Sequence, residues 1–502
     1  MSSRHARLHA SAGLVCALVV LASPVALRAD HLAEIRARGV LRWGADAEGG
    51  APYVYPDPQH LDRFIGFEYE LAEALARKLG VKATLVQNQW DQLVPALDRG
   101  NFDLILNGLE LTPENQQRIA MSRPYYVYTQ QIVTRRDTVG LSTVEDFGSQ
   151  PVGVLSGSVA ERLLTQRSAV VWKSYPGNVE TFQDLKVGRL EAVLVDLPIA
   201  LHYAKPDPSL KLSGAPFAMG YYAIGLLKQD TTLRDAVNSA IEQLIRDGSL
   251  ERIYRKYGIW DERQQLLKDY QPPAVTEGKP KVTFAERLCY LPLLVKAAGT
   301  TAELSLLSMA LAVVVGLVLV LVRLYGVGPL SWLAKAYVEV IRGTPLLIQL
   351  FLIYYGLPEI GIRLNAFCAA VLGLGLNYAA SEAENYRAGI QSIPHGQTEA
   401  ALALGMNRWQ TLRQVVLPQA ARVVIPPVTN DFIAMFKDTS IVSVITMVEL
   451  TKQYGMLAAS NSDYIVVGLM TAGIYFALSY PASIFANWLE CKLAYDSRRQ
   501  PA

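Results

Sequence analysis

Residues Glu399-Ala-Ala-Leu-Ala-Leu-Gly405, followed nine residues later by Val415-Val-Leu-Pro418, decide how this chain is read. They lie between apolar segments long enough to cross a bilayer, so the stretch reads as a cytoplasmic loop. The small side chains of Ala400, Ala401 and Ala403 let a short helix pack closely into a groove on a partner. Glu399 places a charge in that helix's first turn, and Gly405 ends it by admitting a left-handed backbone. An amphipathic surface helix ending in Gly is the plain alternative. The Leu417-Pro418 stop at this distance favours the partner-binding reading.

Working outward, the 502 residues suffice for two or three domains, and a net charge of +2 argues against nucleic-acid binding. The averages conceal two unlike halves. Up to about residue 270 the charge density is that of a soluble protein, and beyond it come long uncharged runs. Residues 304–322 hold no charge. At about 1.5 Å per helical residue they nearly span a hydrocarbon core of about 30 Å.

Arg4, His5 and Arg7, the apolar run 12–22 and small residues near Ala29 read as a signal peptide over 1–29. Cys16 follows Val15 rather than a small residue, which disfavours a lipid anchor. Cys289, Cys368 and Cys491 lie at or beyond the membrane boundary, so the soluble half has no disulfide framework. Five spans are expected, near 298–322, 346–357, 366–383, 424–447 and 464–489. If the soluble half is outside, Arg323, Lys335 and Arg342 fall in one inner loop. Arg387, Arg408, Arg413 and Arg422 fall in the next, and Lys492, Arg498 and Arg499 in an inner tail. Outer loops keep only Arg363 and Lys452, as the positive-inside tendency requires.

Tyr337-Val-Glu-Val-Ile-Arg-Gly-Thr-Pro-Leu-Leu-Ile-Gln-Leu350, the 399–418 loop and Phe436-Lys-Asp-Thr-Ser-Ile-Val-Ser443 together resemble the permease of polar amino-acid ABC importers. The resemblance covers about 200 residues. It implies a type I importer permease core of about five transmembrane helices in the bacterial inner membrane, working as a pair, most simply a homodimer. A cytoplasmic dimer of ATPase subunits would be gripped through Glu399, Ala400, Ala401 and Gly405. The chain contains no Gly-x-x-x-x-Gly-Lys-Ser/Thr loop, so ATP and Mg would act through that separate ATPase, with no cofactor or metal on this chain. Three acids fall at membrane depth: Glu382, Glu384 and Asp431. Glu384 matches a family position and suits a structural role at the inner interface. Glu382 departs from the family and points about 200° away, toward a translocation path or toward solvated headgroups.

The soluble half alternates strands (40–44, 103–106, 152–155, 192–195) with amphipathic helices (66–79, 233–245), an α/β pattern. Four of its segments resemble the periplasmic solute-binding proteins of amino-acid importers (family 3). They are Gly39-Val-Leu-Arg-Trp-Gly-Ala-Asp46, Gly66-Phe-Glu-Tyr-Glu-Leu-Ala-Glu73, Pro151-Val-Gly-Val-Leu-Ser-Gly157 and Ile253-Tyr-Arg-Lys-Tyr-Gly258. This implies an α/β two-lobed periplasmic-binding-protein fold of type II over 30–265, outside the membrane. Lobe 1 would comprise 30–130 and 220–265, joined to lobe 2 by crossing strands near 129–133 and 222–226.

Carried over position by position, the candidate ligand residues are Asp46, Gly108, Glu110, Asn115, Ser158 and Asp196. Asp46 and Asp196 follow strands, and Asp196 matches the acid that commonly meets a ligand amino group. Capping is their structural alternative. The usual Ser-x-Thr-x-x-Arg string reads Glu110-Leu-Thr-Pro-Glu-Asn115, so an acid replaces the hydroxyl and Asn the carboxylate-binding Arg. Arg118 lies one turn further on. Ser158-Val-Ala160 replaces more polar side chains, and the N–H at the helix start after Gly157 offers an anion site. The cleft gains acid and loses its cation, which points to a cationic amino acid, an amine or a peptide-like solute.

A polar linker, 266–290, holds Gln271-Pro-Pro and Glu277-Gly-Lys-Pro and joins the halves. It leads into a membrane domain over 291–495 with a tail at 496–502. Two other classes use the same binding fold. In a ligand-gated channel the membrane helices would interrupt lobe 2, and here they follow it. An enzyme would need Asp46, Glu110 and Asp196 to pair as acid and base, and their spacing indicates no reaction.

Overall fold

Strand and helix periodicity in the soluble half resolves into mixed β-structure, with parallel strands and one antiparallel long strand in each compact unit. A computed structural model describes residues 30–48, 50–167, 169–271, 287–326, 328–461 and 463–498. The expected signal peptide, most of the linker and the last four residues lie outside these. The first unit holds the described residues up to Val127 and those from Gly220 to 271. Its strands run Lys82–Gln87, Val40–Ala45, Leu104–Ile105 and then the end of Leu210–Leu226. The first three are parallel and the last antiparallel, with Gly225 opposite Ile105. The helix Phe67–Leu79 buries Phe67, Leu71 and Leu75 completely. Each contributes roughly 1.5–3 kcal/mol by leaving water. Gly80 stops the helix at φ 78°, a left-handed turn that costs any other residue more.

Two long strands, Ala120–Arg135 and Leu210–Leu226, carry the chain between the units where crossings were expected. In the second unit the later part of Ala120–Arg135 pairs antiparallel with Ala192–Asp196. Val152–Leu155 and Trp172–Tyr175 follow in parallel. Ile132, Phe147, Val152, Val154, Leu164 and Leu194 form its core. This lobe, Tyr128–Met219, belongs to the same compact unit as the membrane helices.

Three of the five expected spans match helices long and apolar enough to cross a membrane: Leu288–Tyr325, Ala366–Gln391 and Tyr464–Leu489. A fourth is broken, Pro329–Arg342 and Leu346–Ile360 meeting at 108°. The remaining expected span, 424–447, falls largely on Leu417–Asp438, which holds Pro426 and Pro427 in its interior. Its charged residues, Arg422, Asp431, Lys437 and Asp438, keep it outside that set. Helices Leu291–Tyr325 and Ala366–Gln391 approach closely because small residues face each other. A Cβ on Gly316 would stand 2.8 Å from Cβ of Glu382, and one on Gly375 2.6 Å from Cδ2 of Leu311. Leu306 and Val318 on the first of these helices, and Leu469, Phe476 and Trp488 on Tyr464–Arg498, are exposed, as an apolar solvent requires.

Candidate functional site

In the first unit the segment 107–115 carries three of the expected ligand residues, and local bonding occupies much of what they offer. Gly108, at φ 62°, lies under the Tyr53 ring, where a Cβ would stand 2.9 Å from Cε1. Its N–H donates to Oε1 of buried Glu68 at 2.8 Å and reaches the Tyr125 hydroxyl oxygen at 3.2 Å. Tyr125 donates to the same carboxyl oxygen at 2.5 Å. Burial outweighs both bonds and raises the Glu68 pKa to about 8, so the group is a neutral acid near pH 7. The Asn115 side chain turns inward and donates to the Glu110 carbonyl at 2.8 Å, while Glu110 itself is buried and bridged to Tyr222. Arg118 does not reach back toward Asn115, and its guanidinium lies 3.6 Å from Asp98.

Asp46 is engaged locally. Its Oδ1 accepts from the Glu48 N–H at 3.0 Å and from Gln87 at 3.3 Å, and its Oδ2 from the Trp90 N–H at 3.1 Å. Both oxygens secure the surrounding turns, the arrangement its capping alternative describes. Asp196 behaves in the opposite way. It stands at the N-cap of Leu197–Tyr203 and makes no side-chain capping bond there. Its buried carboxylate accepts from Gln130 Nε2 at 2.5 Å, across the register pair of their two strands. Gln130 was not foreseen, since only strand register shows that it faces Asp196.

The position after Gly157, expected to offer an N–H to an anion, has an acceptor within the chain. The Gly157 N–H donates to Glu161 Oε2 at 2.6 Å, so the helix's own acid takes that donor. Ser158 caps the same helix, accepting from the Glu161 N–H at 3.2 Å and donating to the Leu155 carbonyl at 2.7 Å. Burial raises the Glu161 pKa against the opposing bond from Gly157. Ser158 is thus the N-cap, while Glu161 reaches one residue further back, to the Gly157 N–H rather than to the N–H of the cap itself.

Among the membrane acids, Glu384 pairs with Arg323 and, at 2.7 Å, with Arg387. It ties Ala366–Gln391 to Leu291–Tyr325, the structural role expected of it. Glu382 is fully buried at the same helix contact, beside Gly316. Its polar neighbours are Asp431, Tyr386 and Asn385. Asn385 donates to Asp431 at 2.9 Å, and Tyr378 to Asp438 at 2.7 Å.

The loop after that helix folds as helix, turn, helix. His395–Ala403 ends at Gly405, φ 85°, where the Met406 N–H meets the Ala401 carbonyl at 3.2 Å and the Gly405 N–H the Leu402 carbonyl at 3.0 Å. That pair of bonds is a Schellman motif, and it explains the Gly. Because the helix begins at His395, Glu399 sits in its second turn rather than the first. Glu399 and Ala400 are exposed, and Ala401 packs inward. Asn407 and Gln410 cap Arg408–Thr411 reciprocally at 2.8 and 2.9 Å. Leu404 (85% exposed) and Trp409 (64%) stand out from the loop, an apolar pair the sequence analysis did not single out.

Residues 41–259 match the bacterial extracellular solute-binding proteins of family 3, and residues 305–495 the inner membrane component of binding-protein-dependent transport systems. The chain is 39% identical over 204 residues to the probable amino-acid ABC transporter permease protein YckA of Bacillus subtilis, covering 41% of this chain and 90% of the relative. It is 38% identical over 222 residues to the L-cystine transport system permease protein TcyB of the same organism, 44% and 95%. The ancestral amino acid-binding protein AncCDT-1 is a similar solved structure, 31% identical with TM-score 0.43, covering 45% of this chain and 99% of that one. The chain therefore belongs to the permease family of binding-protein-dependent amino-acid ABC importers, and carries its own family 3 solute-binding domain on the same polypeptide.

Proposed function

We propose that this fused receptor and permease takes up a solute presenting a cationic amine, with little reliance on a free α-carboxylate. The observation that carries this reading is Glu161 on the Gly157 N–H, where a ligand carboxylate would otherwise be received. Asn115 adds to it, standing where the family has Arg and bonding the Glu110 carbonyl. Asp196, buried and bonded to Gln130, is the acid this reading assigns to the ammonium, which needs an opposite charge once desolvated. The named relatives transport amino acids or cystine, so a basic amino acid or its decarboxylated amine suits both lines of argument.

The receptor half faces outward in this reading, by the distribution of basic loop residues. The helix–turn–helix at 395–411 receives a separately encoded ATPase, which brings ATP and Mg, and two copies of the chain make the pore. Calorimetry on the full chain in lipid nanodiscs tests the cargo, with arginine, lysine, agmatine and glutamine as titrants. Tight binding of a cationic titrant, lost in Asp196→Ala, is expected. Equal affinity for glutamine would overturn the reading.

A further inference from the structure

The second lobe and the membrane helices share a polar cluster that neither the cargo nor the motor explains. Asp184, near the end of helix Asn178–Lys186, is wholly buried. Its Oδ1 accepts from Arg189 Nη1 at 2.9 Å. Its Oδ2 accepts from two phenols, Tyr175 of the same lobe and Tyr354 of the permease, each at 2.7 Å. Arg189 Nη2 donates to the Tyr354 carbonyl at 2.8 Å, and the guanidinium stands 3.8 Å from the centre of the Tyr354 ring. Tyr354 is itself fully buried, in the π-helical turn Leu352–Gly356. Beside it, a guanidinium nitrogen of Arg363 lies 3.6 Å from where a Gly188 Cβ would be.

We infer that Asp184, Arg189 and Tyr354 form an intrachain seat that keeps the second lobe docked on its own permease in the presence and absence of solute. A carboxylate and a guanidinium at this depth are tolerated because they pair with each other and take further bonds, Asp184 from two phenols and Arg189 through Nη2 to the Tyr354 carbonyl, so Tyr354 serves both members of the pair. The cation–ring contact adds to the polar bonds rather than competing with them. A transient receptor contact usually keeps its charges at an exposed rim; here Asp184 and Tyr354 are buried at the centre. The linker reinforces it, since attachment holds the lobe near the permease at an effective concentration of about millimolar. The position also fits the topology. The 26-residue helix Ala366–Gln391, about 39 Å long, separates this turn from the 395–411 loop, so seat and loop lie toward opposite ends of the membrane domain. The inference needs the permease assignment and is independent of the cargo.

Hydrogen exchange followed by mass spectrometry on the full chain in nanodiscs tests it, with and without added arginine. Tyr354→Phe and Asp184→Asn should each speed exchange at least tenfold in peptides covering 178–190 and 350–363, equally in both conditions. Tyr175→Phe removes a phenol from the same carboxylate and leaves the permease bonds, so it should affect 178–190 alone. If Tyr354→Phe leaves 178–190 unchanged, the seat does not exist. Protection of 178–190 that appears only with arginine would show docking to be ligand-driven and would also overturn the inference. Mixed chains, one tagged with Gly188→Cys and the other untagged with Arg363→Cys, both with the four native cysteines replaced, then receive a short bismaleimide. The expected result is no cross-link between them, against efficient internal cross-linking when both cysteines share one chain. Efficient linking between chains would place the seat in trans and refute the intrachain form.

Discussion

The two ends of the permease domain treat their partners in opposite ways. Where the second lobe meets Tyr354, an acid, a guanidinium and a phenol are buried and mutually bonded. At the 395–411 loop, Leu404 and Trp409 are 85% and 64% exposed, on a short scaffold whose own backbone bonds are closed by a Schellman turn and a capping box. The first surface has its partner within the chain. The second has the rigidity of an interface and the exposure of one that waits for another polypeptide. On the proposed reading, the difference is between a receptor built into the permease and a motor recruited to it.

The sharpest way to break the comparison is Asp184→Ala. It leaves Arg189 buried and unpaired, and breaking a buried pair costs about 3–5 kcal/mol. Uptake in reconstituted vesicles should fall about a hundredfold while arginine binding measured by calorimetry stays within twofold. Equal losses of binding and uptake would mean the lobe itself had been damaged. At the other end, Leu404→Asp should weaken association with the ATPase by at least about tenfold, the loss expected for an exposed anchor worth more than about 1.4 kcal/mol. Co-purification reads that loss directly, and exchange at 178–190 should remain as in the wild type.

Glu384→Gln probes the region between. It leaves Arg323 and Arg387 sharing one weaker acceptor, at a cost of about 1–3 kcal/mol. A lower unfolding midpoint in nanodiscs is expected, with uptake reduced only severalfold. An unchanged midpoint would remove the structural role assigned to Glu384.

How much of this could be read beforehand follows from the range of each interaction. The loop at 399–405 was legible because its helix, its stop and its small residues are all local signals. Strands and the buried face of Phe67–Leu79 were legible for the same reason. Asp46 was ambiguous, because ligand contact and capping demand the same residue at a strand end. Ser158 was legible as a helix cap, whereas the bond from the Gly157 N–H to Glu161 was not, because it depends on how the preceding turn places that N–H. Tyr354 and Asp184 were not, because 170 residues separate them and neither segment announces a partner. Gln130 was hidden until strand register set it opposite Asp196.

The smallest effect on uptake is expected from Glu68, which gives the comparison a control, because it lies in the first unit and contributes to neither end of the permease. Its carboxyl accepts from Tyr125 and the Gly108 N–H, and burial raises its pKa from 4.5 to about 8. In the unfolded chain the group ionises near 4.5, while the folded state keeps the proton until about 8. Folding therefore binds a proton between those values, so the Glu68 contribution to stability is complete below pH 4.5, declines as pH rises and is gone above about 8. Glu68→Gln is the neutral form made permanent, with its amide oxygen able to accept the same two bonds. The unfolding midpoint of the wild type should fall relative to this variant between pH 5 and 8, and the two should coincide near pH 5. Uptake at pH 6 should be unaffected. A midpoint difference that does not change with pH would show that Glu68 is ionised when folded, and that its unpaired oxygen has a partner the buried geometry does not reveal.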